Sequence, residues 1–185
     1  MDSERVFFVT TVTAQRLPIF RRETKAKLLM DTLAHYRDQR KFLLHEFVIM
    51  PDHVHVLLTP APEISLERAI QFIKGGFSYR VKTRGPMWQP SFTNHRIRDW
   101  EDYEQHREYI RMNPVRARLV DRVEDYPYSS AFGLMRLDPV PQGLKPLFIE
   151  RDPDAGLKAR SSTVDPHRGN VAPWKSGPSG PRSGT

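Results

Sequence analysis

Residues Phe42 to Leu58 form a largely apolar run that is broken once, at Met50-Pro51-Asp52. Two such runs on either side of a tight proline turn have one economical arrangement, a hairpin of strands Phe42 to Met50 and His53 to Leu58. Alternation along the second strand puts His53, His55 and Leu57 on one side, and Val54, Val56 and Leu58 on the other. The second side can pack a core. The first carries two imidazoles spaced as a pair of metal ligands, although an isolated His-X-His is better explained by packed or surface histidines.

A second stretch favours the ligand reading. Asp99-Trp100-Glu101-Asp102-Tyr103 reads as a helix start, with Asp99 as the N-cap and acidic side chains in the first turn. It leads into Glu108-Tyr109-Ile110-Arg111-Met112-Asn113-Pro114-Val115-Arg116, where Tyr109 and Asn113 fall one helical turn apart on one face. Pro114 leaves a second reading open, in which Asn113 closes one helix and caps the next, because the residue before a proline is pushed out of helical geometry. In both, phenol and amide stay close together.

Cysteine is absent, which excludes disulfides, thiolate metal sites and cysteine nucleophiles. Any metal is then held by nitrogen and oxygen, which suits Mg, Mn or Zn. The net charge of +7 makes a polyanion the leading class of partner. No apolar run approaches the ~18 residues that span a bilayer, and no basic segment precedes an apolar signal core at the N-terminus, so a cytoplasmic protein is expected.

The rest of the chain supplies a frame. Arg5 to Thr13 reads as a central first strand, and Arg22 to Arg40 as an amphipathic helix burying Leu28, Leu29, Leu33 and Tyr36. Ser65-Leu66-Glu67-Arg68 opens a second helix to about Lys82, in which Gly75-Gly76 either interrupts the helix or lets another segment come close. Met87 to Arg98 gives a short fourth strand or a pair of them. The order strand, helix, strand, strand, helix, strand predicts an α+β fold, the ferredoxin-like split βαβ, with an antiparallel sheet and helices on one face. Asp125 to Ser130 reads as an ordered closing turn. Eight of the sixteen prolines and six of the ten glycines fall from Asp138 onward, so the expected division is a domain over 1–137 and a disordered Pro/Gly/Arg-rich tail over 138–185.

Two neutral imidazoles and one amide oxygen, from His53, His55 and Asn113, leave open positions on a divalent ion, as a Lewis acid bound to a phosphodiester requires. Tyr109 is then the nucleophile: attack by its phenolate gives a phosphotyrosine ester and a free 3′-hydroxyl, so the bond energy is kept and strand transfer is reversible. Arg96, Arg98, Arg111, Arg116 and Arg118 flank the site as candidates for phosphate contacts. Trp88 and Phe92 either stack on unpaired bases or belong to the core. His35, His45, His95 and His106 read as structural or surface residues.

Four segments, in this order, carry a resemblance: Met50-Pro51-Asp52-His53-Val54-His55-Val56-Leu57-Leu58, Trp88-Gln89-Pro90-Ser91-Phe92, Tyr109-Ile110-Arg111-Met112-Asn113-Pro114-Val115-Arg116, and Tyr126-Pro127-Tyr128-Ser129-Ser130. Together they resemble the REP-associated tyrosine transposases, bacterial relatives of the single-tyrosine transposases of the HUH endonuclease superfamily, over roughly residues 5–132. The resemblance implies a Mg or Mn ion and a 5′-phosphotyrosine intermediate. It also implies a substrate of hairpin-forming palindromes in single-stranded DNA, action at the nucleoid, and a monomer or homodimer. His53 and His55 match the paired metal ligands and Tyr109 the nucleophile, while Asn113 stands where relatives place a glutamine. Asp52 replaces a more usual asparagine, which adds a carboxylate near the metal. Two rival functions fit the same residues: a hairpin-binding protein without catalysis, and a phosphodiesterase that uses water.

Overall fold

The computed structural model describes residues 5–82 and 85–144. The expected hairpin is present as β2 (Phe42–Ile49) and β3 (His53–Pro60), and the Met50 amide donates to the His53 carbonyl at 2.8 Å to close its turn. With β1 (Phe7–Val12) and β4 (Thr93–Arg96) they form one sheet in the order β2-β3-β1-β4, antiparallel at every pairing. Helix α1 (Glu23–Asp38) follows β1, α2 (Leu66–Val81) follows β3, and α3 (Trp100–Arg116) follows β4. This is the expected ferredoxin-like order with one helix added.

Alternation along the strands divides the core in two. Val9, Val54, Val56 and Leu58 pack on α1 and α2 through Leu29, Leu33, Ile70, Ile73 and Phe77. On the other face Val6, Val48 and Leu57 pack under α3 through Tyr103 and Ile110. Helices therefore cover both faces, because α3 lies beyond the six-element motif and takes the face that α1 and α2 leave open. Each such side chain, fully buried, contributes about 1.5–3 kcal/mol.

Local chemistry sets the helix ends. Ser65 Oγ accepts from the Arg68 amide at 3.2 Å, and Asp99 Oδ1 from the Asp102 amide at 2.9 Å, each satisfying one orphan donor of a first turn. Helix α2 is unbroken at Gly75-Gly76. Gly76 serves the close approach instead: a Cβ there would collide with the Tyr36 ring of α1, which stacks on Phe72 with centroids 5.1 Å apart. Helix α3 runs through Pro114, so Tyr109 and Asn113 do share one helix and Asn113 caps nothing. Pro114 falls in the last turn and lacks the N–H that would donate to the Ile110 carbonyl, so the helix runs on with one intrahelical bond forgone and the proline ring buried.

The closing turn protects the outer edge of β2, where an open row of amides would otherwise template foreign strands. Ser129 bridges to Val48, and the Tyr126 hydroxyl donates to the Ile49 carbonyl at 2.8 Å. Beyond it, Asp138 accepts from Arg37 through Nη2 and Nε, at 2.7 and 2.8 Å, and from the Leu44 amide at 2.9 Å. These bonds tie Asp138, the first residue of the expected tail, to α1 and β2. The remainder of the expected disordered tail, 145–185, lies outside the described residues.

Candidate active site

Register places the histidines. On the α3 face of the sheet His53 stands opposite Val12, His55 opposite Thr10, and Leu57 opposite Phe8, while Phe8 faces His95 across its other edge. The two imidazoles meet edge to face with centroids 4.8 Å apart. Each is oriented through Nδ1: His53 donates to Asp52 Oδ1 at 2.6 Å, and His55 is hydrogen-bonded to Thr10 Oγ1 at 2.7 Å. That leaves both Nε2 atoms for another partner. Such an oriented pair is the arrangement by which proteins fix the tautomer of a ligating histidine.

His55 is buried, and its Nε2 has no partner among the described residues. An orphaned polar atom in the interior costs about 1–3 kcal/mol, so the position is one that a ligand would relieve. Burial first, and then the neighbouring His53, push the His55 pKa down to about 3, which keeps its imidazole neutral near pH 7 with a lone pair to offer. The donor set therefore fits a divalent cation.

Helix α3 brings the phenol to this pair. The Tyr109 ring meets His55 edge-on at 5.3 Å and Phe8 at 5.9 Å between centroids, yet the residue remains 41% exposed. Arg116, two turns later, carries its guanidinium carbon 5.6 Å from the Tyr109 ring centre. Asn113 lies between them, partly buried, on the turn after Tyr109.

The flanking residues separate into distinct environments. Arg98 is exposed and donates from Nε to Asp102 at 3.3 Å. Arg111 is partly buried near Glu46, whose carboxyl is pushed above its ordinary range by burial, against the hydrogen bond from Ser130 and the charges of Arg111 and Arg107. Arg118 is exposed just past α3, with a left-handed φ of 55°. Arg96 pairs with Phe7, five residues along β1 from the partner of His53, or ~17 Å at the rise of a strand. It lines a cleft with Arg5, Arg40 and Arg136 at that far end of the sheet.

Trp88 takes the core alternative. Its ring packs on Phe20 and Phe77, its Nε1 donates to the Lys74 carbonyl at 3.1 Å, and it presents no open face to a base. Phe92 is half-buried against the same cluster.

Several residues around the candidate site escaped sequence reasoning. Phe8 and Thr10 sit on a strand with no motif of its own, and only strand register reveals them. His95 and His106, read as structural, converge on buried Asp102: His95 Nε2 is 2.8 Å from Oδ2 and His106 Nδ1 is 3.1 Å from Oδ1. The i, i+4 spacing of Asp102 and His106 was the available signal.

The family model described as "Transposase IS200 like" matches residues 6–113. The REP-associated tyrosine transposase of Escherichia coli is 29% identical over 125 residues, covering 67% of this chain and 74% of that protein. A protein of Haemophilus influenzae described as a REP-associated tyrosine transposase is 34% identical over 96 residues, covering 44% of this chain and 54% of its own length. Among solved structures, a REP-associated tyrosine transposase bound to a REP hairpin superposes with a TM-score of 0.61 at 26% identity, covering 85% of this chain and 94% of the other. The chain belongs to the IS200-like transposase family, and within it resembles the REP-associated tyrosine transposases.

Proposed function

We propose that the chain is a metal-assisted endonuclease and strand transferase that cuts single-stranded DNA beside a hairpin, with Tyr109 as the nucleophile. One observation carries this: the Tyr109 ring lies 5.3 Å from His55, on the face where His53 lies 4.8 Å from His55. The proposed ligand class follows the solved relative, which was bound to a REP hairpin.

His53 and His55 would hold Mg or Mn through Nε2, with Asn113 as a third ligand. Bound there, the ion supplies positive charge against the scissile phosphate. Asp52 and Thr10 hold the two rings in ligating orientation. The Tyr109 phenolate oxygen forms a new bond to phosphorus, the 3′-oxygen leaves and takes up a proton, and the 5′-phosphate stays on the tyrosine. One phosphodiester replaces another, so a later 3′-hydroxyl can reverse the step. Arg116 places a cation beside the phenol, where the phosphoryl group adds negative charge.

The test is incubation of labelled single-stranded DNA carrying a palindromic hairpin with Mg or Mn and with wild type, Tyr109→Phe, or His53→Ala/His55→Ala. Cleavage by wild type alone is the expected result. Cleavage by Tyr109→Phe near the wild-type rate would point to attack by water. Binding with no cleavage under either metal would point to a non-catalytic hairpin-binding protein.

A further inference from the structure

We propose that His95, Asp102 and His106 form a second cation site, for a divalent transition metal, distinct from the His53/His55 pair. Two imidazoles and one carboxylate offer ligand atoms that all lie within 4.8 Å of one another. They come from two elements: His95 from β4, and Asp102 and His106 from consecutive turns of α3. The His95 and His106 rings stack with centroids 4.6 Å apart and planes at 14°, and each turns one nitrogen to the Asp102 carboxylate, at 2.8 and 3.1 Å.

Asp102 is only 6% exposed. Burial alone would raise its pKa, but hydrogen bonds from His95, the Arg98 amide and the Arg98 side chain outweigh it and hold the carboxyl below its ordinary range. A buried carboxylate with an imidazole nitrogen close to each oxygen supplies a mixed nitrogen and oxygen ligand set by its geometry. The Arg98 amide stays on Oδ2 at 3.0 Å, but the side-chain competitors for Asp102 are weak or can leave. The Arg98 guanidinium bond is 3.3 Å long and its side chain is 76% exposed, so that arm can swing into solvent. His106 Nδ1 also donates to the Asp102 carbonyl at 2.8 Å, a bond given up on ligation. Each neutral ring then carries its proton on the nitrogen facing away from the ion.

Imidazole and carboxylate together favour Zn, Co, Ni or Mn over Mg or Ca. The site is separated from the catalytic pair by Phe8, whose ring is 5.4 Å from His55 on one side and 4.8 Å from His106 on the other. An ion here would clamp β4 to the first turns of α3 and so fix the helix three residues before Tyr109. The inference does not depend on the tyrosine chemistry.

The test uses the full chain stripped of metal. Cobalt(II) is titrated in by equilibrium dialysis and its ligand-field absorption is followed, for wild type, His95→Gln/His106→Gln and His53→Ala/His55→Ala. The criterion is the difference between variants: His95→Gln/His106→Gln should lose one equivalent, or bind it at least about tenfold more weakly, while His53→Ala/His55→Ala keeps that equivalent. Unchanged stoichiometry and affinity in His95→Gln/His106→Gln would overturn the proposal. A measurement on wild type guards against a variant that fails to fold. Imidazole nitrogen NMR during zinc addition should shift the His95 and His106 signals, and shifts confined to other histidines up to millimolar zinc would overturn it equally.

Discussion

At the scale of single residues, the candidate site was legible where chemistry is written in local spacing. His53 and His55 share a strand face because side chains alternate, and Tyr109 and Asn113 share a helix face because a turn is about four residues. Supporting groups were legible only where they are neighbours in sequence, as Asp52 is to His53. Thr10, set against His55 by strand pairing, was not. Asp52→Asn exchanges the acceptor on His53 for a neutral one and is expected to weaken divalent-metal binding about tenfold, read by titration calorimetry, without altering the fold. Trp88 shows the opposite limit. Its residue type suits base stacking and core equally, and burial decides for the core. Trp88→Ala should cost ~3–5 kcal/mol in chemical denaturation by opening a cavity beside Phe20 and Phe77.

At the scale of elements, hydrophobic runs and helix-start signals located the three helices and three of the strands of the described residues and left the fourth as one short strand or a pair, but they could not say which sheet face α3 would take. That choice belongs to Leu57, Tyr103 and Ile110, which are distant in sequence and meet only through tertiary packing. Asp138 was hard to place for a related reason: it looks like part of a polar tail, yet it holds Arg37 and the β2 amide of Leu44. Burial pushes its carboxyl upward, but the Arg37 and Leu44 hydrogen bonds and the Arg37 charge outweigh burial and hold it below the ordinary range. A carboxyl lowered on folding contributes stability in full above its unfolded pKa of about 3.9 and loses it as pH falls through the folded value. Asp138→Asn is therefore expected to destabilise by about 2 kcal/mol at neutral pH. The gap from wild type should close in denaturation curves recorded below about pH 4.

At the scale of the molecule, His53 lies at one end of a sheet whose other end carries the cleft of Arg5, Arg40, Arg96 and Arg136, with Tyr109 against His55 and Phe8 between them. The net charge of +7 is consistent with a polyanion held over a broad surface. Part of that charge falls in Arg151 to Arg182, outside the described residues. Removing 145–185 should leave cleavage intact while weakening hairpin binding at low salt and flattening the dependence of log affinity on log salt. Equal affinity and equal slope would remove that segment from the interface.

The most direct test of the central claim, covalent attack by Tyr109, is to trap the product of wild-type protein with hairpin DNA and Mn, digest both components, and sequence the peptides by mass spectrometry. The account predicts a nucleotide 5′-phosphate on Tyr109 alone, and none in metal-free reactions. Cleaved DNA bearing a free 5′-phosphate, with Tyr109 unmodified, would contradict it.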